Sequence, residues 1–239
     1  MKKYKYKNKK VTAVVLARLL SNRLKKKMLR KIDGQRSIDL FINRLKKCKK
    51  VDEIILATSS AYHDRVFRKI AKNHKIKFFS GSENDVLDRL NQATSHLDPA
   101  DIIVRANADN PIFMPTIVDT DIKKFKKLNF EVFSPFFKNK LPFGYSFTIF
   151  KKSCISKINI LAKKKLYREH VENYCFDNRK KIRVLLSNIS INSKFYCPLL
   201  SVTMDTEEDL KKIRKYYSII KNKPIKDQPI NLISHFKRK

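Results

Sequence analysis

A chain of 239 residues, 42% of them hydrophobic, can bury one substantial core and is short for two. Its 55 Lys and Arg against 22 Asp and Glu give a net charge of +33, but the excess is mostly Lys spread along the whole length, without the clustered Arg and interleaved aromatics of a nucleic-acid stripe. Specific nucleic-acid binding is therefore not expected, no apolar stretch is long enough for membrane insertion, and the scattered Cys48, Cys154, Cys175 and Cys197 show neither zinc nor disulfide spacing, as fits reduced thiols in a cytoplasmic protein.

Residues 1–10 form a basic extension. The apolar run that follows imitates a signal peptide, but Arg18 interrupts it and no small-residue cleavage site follows, so residues 11–17 are expected to form a buried first strand. A helix over 37–47 places Ile38, Phe41, Ile42 and Leu45 on one face. Strands at 53–58, 76–79 and 101–105 then alternate with helices at 64–73, 85–94 and 115–127. Such alternation predicts an α/β fold, a largely parallel sheet with helices on both faces.

The second half is less regular. Strands are expected at 130–134, 145–150, 182–186 and 199–204, and helices at 169–176 and 207–220. From Pro224 onward no strong period is visible, so the reading is one domain over 11–220 followed by a basic tail over 221–239.

Chemistry-bearing residues cluster at the expected strand ends. Arg18 closes the first strand, and Ser21, Arg23 and Lys27 follow in its loop, a set able to surround a triphosphate with cations and donors; a solvated basic loop is the alternative. Asp109 follows the 101–105 strand and precedes the turn Asn110-Pro111. It is placed either to hold a divalent cation against phosphates or to cap an Asx-type turn. Asp205 follows 199–204 and opens a helix at Thr206-Glu207-Glu208-Asp209, so it reads either as a second metal-facing carboxylate or as a helix cap. Gly81-Ser82-Glu83-Asn84-Asp85-Val86-Leu87-Asp88-Arg89 enters a helix, and Arg168-Glu169-His170 places polar groups at another helix start.

Taken in order, these motifs resemble the cytidylyltransferases of the spore-coat-polysaccharide type, relatives of the acylneuraminate and 3-deoxy-manno-octulosonate cytidylyltransferases. The match runs from about residue 11 to 217 and is nearly letter for letter at Gly81 to Arg89, Arg168 to Val171 and Asp205 to Leu210. It implies a Rossmann-like nucleotide-diphosphosugar transferase fold, CTP and a sugar acceptor as substrates, and Mg²⁺ as cofactor. Carried over by position, Ala17, Arg18, Ser21, Arg23, Lys27 and Arg105 would bind the nucleotide, with Lys27, Arg18 and Asp109 catalytic. Asp109 and Asp205 would hold the metal, and Arg168, Glu169 and His170 would face the sugar. A homodimer is a further possibility, since related enzymes are often dimers.

This chain departs from the family pattern at several places. Leu20 replaces a Gly, Lys25-Lys26 a Pro-Gly, Leu16 a Gln, and Asn107-Ala108 a Thr-Gly. The family's Pro-x-Gly-x-Asp-x-Glu reads Pro142-Phe143-Gly144-Tyr145-Ser146-Phe147-Thr148, with both carboxylates gone. These departures keep open a catalytically weakened nucleotide or nucleotide-sugar binding protein as the alternative to a transferase.

Overall fold

The computed structural model describes residues 9–20, 23–135, 140–187 and 192–238. Its centre is a seven-stranded sheet in the order β5-β4-β1-β6-β8-β7-β9. The strands are β1 (Val11–Leu16), β4 (Glu53–Ser59), β5 (Lys77–Gly81), β6 (Ile102–Asn107), β7 (Val132–Ser134), β8 (Thr148–Lys151) and β9 (Val184–Leu186). A two-stranded hairpin, β2 (Lys31–Ile32) with β3 (Gln35–Arg36), turns at Asp33 and Gly34, both with positive φ. Strands β5, β4, β1 and β6 are mutually parallel, β8 is antiparallel to both β6 and β7, and β9 is parallel to β7. The mostly parallel architecture read from the sequence is therefore present.

Strand β1 lies between two parallel neighbours and is covered on both faces, which is why its sequence is apolar throughout rather than alternating. On one face Val11, Ala13 and Val15 pack with α1 (Ser37–Leu45), α2 (Val66–Asn73) and α4 (Pro115–Lys127), through Ile38, Phe41, Phe67, Ile70, Val118 and Ile122. On the other, Val14, Ile55 and Ile103 meet α3 (Val86–Ala93), α5 (Lys152–Leu161) and α7 (Val171–Asp177), through Leu87, Leu90, Ile155, Ile158 and Tyr174. A third apolar cluster joins Leu24, Ile32, Met114, Tyr145 and Met204 to α8 (Glu207–Ile220) and α9 (Gln228–Lys237).

Four differences from the sequence reading have local causes. Residues 199–204 do not form a sheet strand. They run beside the 142–145 loop, where Phe143 N donates to Leu200 O and Val202 N to Phe143 O, and only Phe143 and Ser201 make a bridge. The helix expected over 169–176 breaks at His170 (φ −111°, ψ 81°) into α6 (Lys165–Glu169) and α7. Helix α5 follows β8 immediately and was not anticipated. Residues 221–239, expected as a basic tail, contain α9, whose Leu232 and Ile233 are buried and whose Gln228 bonds Arg44 and the Ile220 carbonyl. Among the described residues, no helix is long and apolar enough to cross a membrane.

Candidate active site

The register brings the ends of three strands level: Leu16 of β1 faces Ala57 of β4 and Asn107 of β6. In a parallel sheet, a crevice forms beyond these carboxyl ends. Here it is a cleft of about 650 Å³. Its lining includes Ala17, Arg18, Arg23 and Lys27 of the first-strand loop, Asp109 and Asp205, and Arg89, Arg105, Glu169 and His170.

The first-strand loop is anchored by β4. Thr58 Oγ1 donates to Ala17 O at 2.9 Å, and Leu19 N donates to the fully buried Asp64 carboxylate at 2.8 Å, which also accepts from Ser59 Oγ. Beyond it Lys26 takes a left-handed conformation (φ 51°) and starts a 3-10 turn over Lys27–Leu29. The carbonyl of Lys27 accepts from Ser37 Oγ at 2.9 Å. That fixed backbone aims the Lys27 side chain, only 14% exposed, between two carboxylates. Its Nζ lies 2.9 Å from Asp205 Oδ1 and 3.4 Å from Asp109 Oδ2. Arg23 Nη2 approaches the other oxygen of Asp205 at 2.8 Å.

The cap alternative for Asp205 is resolved by hydrogen bonds. Thr206, not Asp205, is the N-cap of α8: its side chain accepts from Asp209 N, while Asp209 reaches back to Thr206 N in a capping box. Asp205 is thereby left to face the cleft. Asp109 is set beside it because Met204 N donates to Asp109 O at 2.8 Å. The next residue, Asn110, accepts from Thr203 Oγ1 at 2.6 Å and packs against Gly144, whose positive φ of 87° and tight contact leave no room for a Cβ.

Elsewhere in the lining Arg105 Nη1 pairs with Glu172 at 2.7 Å, and its Nη2 meets Glu169 O at 3.5 Å. Arg18 reaches Glu169 at 3.6 Å. Arg89, which site assignment from sequence does not include, is buried and donates to Ser82 O, while among the described residues its Nε and that of Arg105 have no hydrogen-bond partner. Burial, and then the Arg18 and Arg105 charges opposed by Asp64, pull the Arg89 pKa down. Its signal was available as the last residue of the Gly81-to-Arg89 motif, one turn into α3. Glu172 and Thr203 carried no comparable signal.

Arg168 is not brought to the cleft. Its guanidinium is taken up by Asp85, the N-cap of α3, and by Asn159 and the Ala162 carbonyl at the end of α5, so it ties α6 to its neighbours. Ser21 lies outside the described residues. Ser146 and Thr148, where the family's carboxylates would stand, are both buried and do not line the cleft. Ser146 Oγ donates to Asp121 at 2.5 Å.

A family profile for cytidylyltransferases matches residues 12–232. The chain belongs to the cytidylyltransferase family. An uncharacterized protein of Methanocaldococcus jannaschii is 32% identical over 216 residues, covering 88% of this chain and 86% of its own. Spore coat polysaccharide biosynthesis protein SpsF of Bacillus subtilis is 27% identical over 217 residues, covering 88% of each. The solved structure of a cytidylyltransferase from Leptospira borgpetersenii superposes with a TM-score of 0.85 at 25% identity, over 96% of this chain and 94% of that one. In this cytidylyltransferase the profile extends through Leu232 of α9.

The residues suit a divalent cation in one respect. Two carboxylates from separate segments already converge on a single positive charge, the Lys27 ammonium. Among the described residues no group of three or more His, Cys, Asp or Glu could hold a metal by itself; a cation held by Asp109 and Asp205 would need further ligands, such as phosphate oxygens and water.

Proposed function

We propose that this protein transfers the cytidylyl group of CTP to a sugar hydroxyl, forming a CMP-sugar and pyrophosphate. The observation that carries the reading is the meeting of Lys27, Asp109 and Asp205 at the carboxyl ends of β1 and β6. An attacking hydroxyl needs the α-phosphate held in line, and the departing pyrophosphate needs its charge neutralised. Arg18, Arg23 and Lys27 supply cations on the loop side. Asp109 and Asp205 would hold Mg²⁺, which supplies charge neutralisation at the phosphates and lowers the pKa of a bound hydroxyl.

The acceptor is assigned to the part of the lining where Glu169 and His170 offer both donors and acceptors. The Arg105–Glu172 pair holds that guanidinium in place for the nucleotide. The buried position of Ser146 and Thr148 supports a full transferase over a weakened one, because the missing carboxylates fall outside the cleft lining.

A thermal-shift panel of the four ribonucleoside triphosphates, each with and without Mg²⁺, tests this reading. A ligand that binds only the native state raises its stability by mass action. A CTP-selective shift that Mg²⁺ strengthens is expected. Equal shifts with all four would indicate bare attraction of polyanions to a basic protein, and would remove the support for CTP.

A further inference from the structure

Lys27 stands in an unusual place for a phosphate ligand. In the nucleotide-free fold its ammonium is the shared partner of the two carboxylates assigned to the metal. The contact is not a loose surface pair. Lys27 is 14% exposed, its backbone is pinned by Ser37 Oγ and by Arg30 N, and Asp109 and Asp205 are themselves locked together through the Met204–Asp109 backbone bond. Arg23 also reaches Asp205, but at 68% exposure it is well hydrated and screened.

We infer that Lys27 is a built-in counter-cation that makes divalent-cation binding at Asp109 and Asp205 conditional on the arrival of a triphosphate. The inference rests on the proposed nucleotide site. A bare cation entering the wild-type cleft must break both Lys27 contacts and sit beside the displaced ammonium, since the other carboxylates of the lining, Glu169 and Glu172, are already paired with Arg18 and Arg105. A triphosphate changes the balance. Its oxygens accept from Lys27, a flexible point charge with three donors and no acceptor, and the ammonium swings from the carboxylates to the phosphates. The carboxylates are then open to the cation that accompanies the nucleotide. The cation and the triphosphate therefore bind as one unit, and the cleft does not fill with metal alone.

The test is binding of Mn²⁺ without nucleotide, read from the electron paramagnetic resonance signal of the free ion at fixed ionic strength. Wild type is compared with Lys27→Gln, Lys27→Met and Arg23→Gln, with circular dichroism to confirm folding. Both Lys27 variants are expected to bind Mn²⁺ alone about tenfold or more tightly than wild type, a change of about 1.4 kcal/mol. Arg23→Gln is expected to gain less than about threefold, as befits an exposed pair. A thermal shift gives a second readout: MnCl₂ alone should stabilise the Lys27 variants and not the wild type.

Equal Mn²⁺ affinity in wild type and the folded Lys27 variants overturns the inference, and so does an equal gain in Arg23→Gln. Repeating the titration with CTP separates this from the function itself. If CTP fails to tighten Mn²⁺ binding to wild type while the Lys27 variants still gain affinity, the nucleotide assignment is wrong and the triphosphate condition falls with it, while Lys27 stands as the counter-cation of the two carboxylates. If CTP tightens binding but the Lys27 variants gain nothing, the reverse holds.

Discussion

Asp121 offers a quantitative check on how the segment bordering the cleft is held. It lies on α4, buried, and accepts a hydrogen bond from Ser146 Oγ, two residues beyond the Gly144 that packs on Asn110. Burial pushes its pKa from the usual 3.8 up to about 7, although the Ser146 bond and the Lys124 charge work in the other direction. A carboxyl group that stays protonated in the fold but ionises in the unfolded chain favours folding fully below pH 3.8. That contribution is lost as pH rises toward 7, because there the unfolded state binds fewer protons than the native one. At about 1.4 kcal/mol per pH unit, the interval from 3.8 to about 7 corresponds to about 4 kcal/mol. Asp121→Asn removes this titration while keeping the shape of the side chain. Urea unfolding followed by circular dichroism at pH 4, 6 and 8 isolates the effect, since all other groups cancel between the two proteins. The stability of Asp121→Asn relative to wild type should improve steadily from pH 4 to 8, by about 4 kcal/mol in all. Parallel profiles, with a constant difference across this range, would refute the reasoning and mean that Asp121 is ionised in the native state.

Other substitutions probe the site and its frame. Asp109→Asn should abolish pyrophosphate release, by at least about a hundredfold, with an unchanged circular dichroism spectrum, because its carboxylate faces the cleft and meets Lys27 there; retained turnover would move the metal elsewhere. Gly144→Ala places a methyl 2.7 Å from Asn110 Oδ1 at a φ of 87°, and a loss of about 1–3 kcal/mol in chemical denaturation is expected. Leu232→Ala should cost about 2–5 kcal/mol if α9 is part of the core, and unfolding within about 0.5 kcal/mol of wild type would show that it is not.

The parts of the fold readable from sequence are those where a single local rule decides. Strand β1 is a continuous apolar run because both faces are covered, and α4 begins at Pro115 and ends in a lysine-rich turn, as its period predicts. Helix α8 announces itself through the acidic helix start at Thr206-Glu207-Glu208-Asp209. Residues 199–204 misled because alternating burial arises just as well when a chain lies against loops as when it joins a sheet. Helix α9 hides its period because one of its buried positions is Gln228, a polar residue satisfied by Arg44 and by carbonyls of the preceding turn.

The site divides along the same line. Three motifs reach the cleft through their chemistry-bearing residues, and two do so only in part: of Gly81 to Arg89 only Val86 and Arg89 line it. Glu169 and His170 face the opening while Arg168, the first residue of their motif, is consumed by Asp85 and Asn159. No spacing rule distinguishes an arginine that reaches a substrate from one that ties helices together. Whether Asp205 was a cap could not be decided locally either, since Thr206 is an equally good candidate; the capping box decides it. The bridging of Asp109 and Asp205 by Lys27 joins residues far apart in sequence and is visible only in three dimensions.

The most direct test of the central claim is ³¹P nuclear magnetic resonance of the protein incubated with CTP, Mg²⁺ and a panel of sugars. A cytidylyltransferase working as proposed converts the triphosphate signals into equal amounts of pyrophosphate and a CMP-sugar phosphodiester, with one sugar in the panel and not without it. CTP that binds and persists unchanged with every sugar, or that breaks down to CDP and inorganic phosphate, would contradict the account.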